Sequence, residues 1–258
     1  MNAASSTAAG ATVPAVRTGA GSALAGWSTC LRILLRRFRV QVAAWLVPLW
    51  LLVGVTAPSY ESIYPSLETR TVLIEQMRKS PGTQLLYGYV PMPGRLGQLL
   101  QWETGTFLLV CTSLMAILLT CRMLRGDEDE GLTEVLRSTG TGRAVPLVVP
   151  VTVVWMVIGG LSAGVGGILT WQTRSIEELT VSGAWALAGT ICVTGWAFSA
   201  IAAVASQLGR QVGQARSLSM IVLALTFVMR VSADQLSDGS RSDWLRWLTP
   251  LGWRDLVR

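Results

Sequence analysis

The sequence predicts an all-α polytopic membrane protein with about five transmembrane helices, preceded by an amphipathic interfacial helix. Three observations carry that reading. Apolar runs of near-span length recur along the 258 residues, and roughly 20 such residues cross a bilayer core. Only 14% of residues are charged, against about 25% in typical soluble domains. Arginines gather beside the apolar runs, as the positive-inside rule places them on a cytoplasmic face. The net charge of +6 therefore needs no nucleic-acid partner.

Residues 1–21, rich in Ala, Ser, Thr and Gly, read as a disordered N-terminal lead without a signal-peptide pattern. The membrane domain then covers 22–258. Between 22 and 39, Leu24, Trp27, Leu31, Leu34, Leu35 and Phe38 recur at helical spacing. Trp27 with Arg32, Arg36, Arg37 and Arg39 makes a membrane-surface group, attracted to anionic headgroups. A short soluble helix packed on a partner is the other reading of this segment.

Spans are expected at about 40–57, 104–121, 145–171, 183–206 and 218–231. The N-terminal arginines have no acid among them, which places the N-terminus in the cytoplasm. Loops 122–143 and 207–217 then lie inside, and 59–103, 171–182 and the tail after Val231 lie outside. Arg241, Arg246, Arg254 and Arg258 in that tail run against the charge rule. In the external loop 59–103, Leu67, Ile74 and Met77 mark one helix side, and Pro81, Pro91 and Pro93 break the remainder of the loop. That predicts an ordered cap, with a floppy loop as the other reading.

Loop 122–143 is the densely charged stretch between two apolar runs. Asp127, Glu128, Asp129 and Glu130 precede Gly131, and Leu132, Val135 and Leu136 fall at i, i+3 and i+4. Acids in a first turn and Arg137 in a last turn suit a helix dipole. The expectation is a short helix outside the bilayer that offers an apolar stripe; a solvated loop is the alternative. Within the spans, Gly159, Ala163 and Gly167 share one stripe with Gly160 and Gly164 beside it, and Gly195, Ser199 and Ala203 make another. Small residues at this spacing let helices approach closely, which predicts packing inside the bundle.

Histidine is absent, which removes the commonest general base and metal ligand. Cys30, Cys111, Cys121 and Cys192 form no CxxC spacing. No phosphate-binding loop exists, since Gly140-Thr141-Gly142-Arg143 lacks the length and the lysine. Glu177-Glu178 reads as a solvated pair, and the middles of the first four spans hold no ionisable group that would relay protons. These features predict a chain that is not an enzyme and carries no metal or cofactor.

Four stretches resemble the permease subunits of bacterial type-2 ABC exporters, specifically the tetronasin or polyketide-antibiotic exporter group. They are LRILLRRFRVQVAAWLVPLWLLVGV; Tyr64-Pro65 with Leu86-Tyr87-Gly88 and Trp102-Glu103; the charged loop; and Trp247-Leu248-Thr249-Pro250-Leu251-Gly252-Trp253. The resemblance implies a multi-pass component of a bacterial cell membrane that exports lipophilic compounds such as antibiotics. ATP would be hydrolysed by a separate cytoplasmic ATPase dimer. It implies that loop 122–143 is the coupling helix, with Arg125, Glu128, Asp129, Glu130, Gly131, Glu134, Arg137 and Arg143 as its partner-binding residues. Permeases of that group are about twice this length, so a second permease half or copy is an expected partner, and the chain reads as a fragment, a split half or a truncated product. The other reading is a non-transporting membrane scaffold or regulator that recruits a cytoplasmic partner through the acidic loop.

Overall fold

The computed structural model describes residues 23–63, 66–88, 95–129, 142, 144–209, 211–235 and 248–253. Among them are seven helices and no strand: α1 Trp27–Ile63, α2 Leu67–Lys79, α3 Pro81–Tyr87, α4 Leu96–Asp129, α5 Val145–Gln172, α6 Val181–Leu208 and α7 Val212–Gln235. Five of these, α1 and α4 to α7, are long and apolar enough to cross a membrane. The end of the bundle that carries α2 and α3 is called the cap end, and the opposite end the arginine end.

The segment expected as a separate surface helix is not separate. It continues into the first span as the single 37-residue α1, about 55 Å long at 1.5 Å per residue. No glycine or proline interrupts Trp27 to Val47, so nothing in that stretch stops the helix. Pro48 lies inside α1, and in the next turn the Trp50 indole N–H donates to the Leu161 carbonyl at 3.1 Å. A second bond, from Gln172 Nε2 to the Gly54 carbonyl at 2.8 Å, ties α1 to α5 nearer the cap end.

Helix α4 lies in the middle, packed on α1, α5, α6 and α7. Two-thirds of its most apolar window (67%) is buried, against 17% for α1 and for α7. It starts at Leu96, two turns before the expected Thr104, because its first turn is well capped. Gln98 Oε1 reaches back to the Arg95 N–H at 3.2 Å, and the Leu96 N–H finds the Glu178 carboxylate at 2.8 Å. It also runs on to Asp129. Asp127, Glu128 and Asp129 thus belong to the last turn of α4, and do not open a new helix as their charge predicts. The long apolar helix simply continues through Gly126, since one glycine weakens a helix without ending it.

The small-residue stripes divide. Gly164 holds α1 close, because a Cβ there would overlap the Trp50 indole. Gly195 in α6 does the same for α4 and α5, where a Cβ would come within 2.9 Å of Thr112 Cγ2 and 2.7 Å of Ile158 Cγ2. Thr120 and Ser199 join α4 to α6 through a hydroxyl bond of 3.1 Å. Gly159, Gly160 and Gly167 differ: a Cβ would meet nothing within 4 Å, and Gly160, Ala163 and Gly167 are exposed. This part of the predicted stripe does not pack against a described helix.

The stretch between α1 and α4 folds into α2 and α3. Ile74, Leu99 and Trp102 form a small second core, with Met77 and Tyr87 against it. The Trp102 indole donates to the Gly88 carbonyl at 3.1 Å. Gly88 takes a positive φ of 81°, the conformation that lets the chain leave α3. Of the tail after Val231, residues 248–253 pack into the bundle. Thr249, Pro250, Leu251 and Gly252 are buried, and the Thr194 hydroxyl, midway along α6, donates to the Pro250 carbonyl at 3.0 Å.

These glycines behave differently when substituted. Gly164→Val should lower stability by about 1–3 kcal/mol through overpacking against Trp50. Gly160→Ala should leave it unchanged or slightly raised, because the site is open and alanine is the better helix former. Thermal unfolding of the purified variants in detergent, followed by tryptophan fluorescence, separates the two.

Candidate functional site

At the arginine end the basic face of α1 is open. Arg32, Arg36, Arg37 and Arg39 are exposed, and Trp27 is half-buried. Ser28, Arg32 and Arg36 fall at i, i+4 and i+8, lining a shallow groove with Thr29 and Ile33. Phe38 is the buried exception. The Arg37 guanidinium lies 5.6 Å from its ring centroid and that of Arg122 lies 5.9 Å away, so a cation from α4 reaches across to α1.

Arg125 makes a second tie. Its Nε donates to the Ser206 carbonyl at 2.5 Å, in the last turn of α6. The last carbonyls of a helix have no partner of their own and carry the negative end of its dipole, so an arginine there serves both needs. Where the chain returns toward α5, the Gly142 N–H donates to Ala25 O at 3.1 Å and the Ala144 N–H to Ala23 O at 3.3 Å. The α4–α5 connection therefore leaves from a turn tied to α1 and α6, and comes back beside the start of α1.

Of the residues expected to bind a partner, Arg125 is placed as this tie between helices. Glu128 and Asp129 are placed through the backbone of α4 alone. Glu130, Gly131, Glu134, Arg137 and Arg143 lie outside the described residues, as do Leu132, Val135 and Leu136. No group of three or more His, Cys, Asp or Glu spaced to hold a metal occurs among the described residues.

Sequence reasoning missed the polar clasp at the cap end. Arg70, 2% exposed, pairs with Glu178 at 2.6 Å, and the same carboxylate oxygen accepts the Leu96 N–H. Glu178 is thus a three-way joint of α2, α4 and the α5–α6 loop, although it stays solvent-exposed, as Glu177 beside it does. The Arg70 hydrogen bond holds the Glu178 carboxyl below the usual carboxylate range, against the opposing effect of burial. Arg230 of α7, also 2% exposed, donates to the Leu86 and Tyr87 carbonyls at 3.4 and 2.9 Å, capping the end of α3. Only the unusual placement of an arginine at the end of an apolar run signalled it.

No family model matches the chain. It is 31% identical over 239 residues, 92% of its own length, to the multidrug efflux system permease protein Rv1217c of Mycobacterium tuberculosis. The chain spans 41% of that protein's length. With five helices long and apolar enough to cross a membrane, this likeness supports a multi-pass membrane protein.

The Glu178 clasp makes a pH prediction. A folded-state pKa below the unfolded value stabilises the fold fully above the unfolded value, about 4.3 for Glu, and that stabilisation is lost as pH falls through the folded value. The melting temperature of the wild type should therefore exceed that of Glu178→Gln by a constant margin from about pH 5 to 8, closing below about pH 4. A margin that grows on acidification would contradict the clasp.

Proposed function

We propose that the chain is the transmembrane permease component of an ATP-driven ABC exporter of lipophilic compounds, working with a separate cytoplasmic ATPase dimer and a second permease half or copy. The observation that carries this is the likeness to a multidrug efflux permease over 92% of the chain. The four motif-bearing stretches and their order along the chain support the ABC class.

In this reading the arginine end faces the cytoplasm, because basic residues concentrate there and the inner leaflet is anionic. The α4–α5 connection is the element that meets the ATPase, with Glu130, Gly131 and Glu134 as contact or shaping residues. Glycine gives the turn its conformational freedom, and the acids meet basic groups on the partner. Two ties between helices support this reading. A displacement of the last turn of α4 pulls on α6 through Arg125 and Ser206, and on α1 through Arg122 and Phe38.

Co-purification with the cognate ATPase tests the assignment. Glu130→Lys with Glu134→Lys should weaken the complex about tenfold or more, as reversal of charges facing basic groups costs several kcal/mol. The ATPase rate of the assembled complex should fall in parallel. Unchanged assembly and rate would remove these residues from the interface.

A further inference from the structure

Most hydroxyls in the spans bond back to their own helix. Thr106, Ser113 and Thr190 reach the carbonyls of Trp102, Leu109 and Ala186. A few side chains keep a buried oxygen without a hydrogen bond among the described residues. Thr112, Thr170 and Gln172 in this group are neutral, whereas Glu103 is an acid. Its Oε2 is closed off from solvent two turns into α4, at the cap end of the bundle.

No described arginine or lysine is paired with Glu103. The two buried cations of the cap end are engaged elsewhere, Arg70 with Glu178 and Arg230 with the α3 carbonyls. A half-buried carboxylate without a countercharge carries a desolvation cost, which is relieved when it takes up a proton or meets a cation. Glu103 as a whole is half-buried, and the described chain does not cover the helix face beyond it. Phe107, one turn along the same face, is 52% exposed, and Val110 and Leu114 continue that face as half-buried apolar positions.

We propose that Glu103 and Phe107 form a binding site for a lipophilic cation, such as a quaternary ammonium or phosphonium carrying apolar groups. The carboxylate supplies the countercharge, the Phe107 ring a cation–π face, and Val110 and Leu114 the apolar bed. A cation of this kind brings charge without hydrogen-bond donors, which suits a carboxylate set among apolar neighbours better than a hydrated metal ion does. As a substrate site it rests on the efflux reading; as a binding site it requires neither ATP nor an ATPase.

Equilibrium dialysis of tetraphenylphosphonium against the full chain in phosphatidylcholine nanodiscs tests this. The wild type should bind saturably. Glu103→Gln should weaken binding at least about tenfold, the loss expected for one charge at close range in a partly buried site. Glu103→Asp should bind more tightly than Glu103→Gln, and Glu61→Gln, at an exposed acid near the end of α1, should match the wild type. Phe107→Leu, an exposed change that leaves the carboxylate in place, should weaken binding about threefold. Tetraphenylborate, of the same shape and opposite charge, should not be weakened by Glu103→Gln.

Equal binding by Glu103→Gln and wild type overturns the proposal. So does a parallel loss for both ions, which would assign Glu103 a purely structural role. Because dialysis needs no nucleotide, a failed ATPase-coupling experiment and a failed site give different results.

Discussion

Close approach of α4 and α6 is the contact on which the bundle depends. Between apolar helices in lipid there is little hydrophobic gain from association, so packing and hydrogen bonds must supply it. Gly195 provides the approach, since any side chain there would strike Thr112 and Ile158. Thr120 and Ser199 then bond across the same interface. With α4 fixed in the middle, α1 and α7 are left at the periphery, each with most of its apolar window uncovered by the described chain. Gly164 repeats the device on the α5 side, where the space left by a missing side chain is filled by the Trp50 indole.

The two ends of the bundle are held by different means. At the cap end, two buried arginines act as fixed donors: Arg70 fastens α2 to Glu178, and Arg230 fastens α3 to α7. A guanidinium suits this task because its planar set of donors can serve several acceptors without losing its charge. The arginine end has the opposite character. There the guanidinium groups of α1 are exposed, and Arg122 and Arg125 fasten helices edgewise through a ring and a terminal carbonyl. Such ties can shift without opening a core.

Much of the fold was legible in the sequence, and the misses have physical causes. The five apolar runs lie in five helices because length and hydropathy alone mark them. Their boundaries moved wherever a polar stretch remained a competent helix former. Leu96–Glu103 joined α4 through Gln98 and Glu178, and the acids up to Asp129 prolonged it at the other end. Glu178 is solvent-exposed as read, but its pairing went unseen because Arg70 lies 108 residues away in the chain, a distance that no local pattern spans. The bare half of the α5 stripe escaped for a related reason: spacing shows which residues share a face, but not what the face meets. For the charged α4–α5 connection, the structure fixes where it leaves and returns, and the residues within it rest on the sequence.

The seat of Pro250 bears on the order in which the protein is assembled. Thr194 sits in the centre of α6, where a threonine can bond the carbonyl four residues back, as Thr190 does with Ala186. That local bond lets α6 enter a membrane with its hydroxyl satisfied, long before residue 250 has been synthesised. The exchange of this bond for the Pro250 carbonyl can occur only after α7 has been made and 248–253 has returned to the bundle. The interior beside α6 is thus closed only after α7, by residues 248–253.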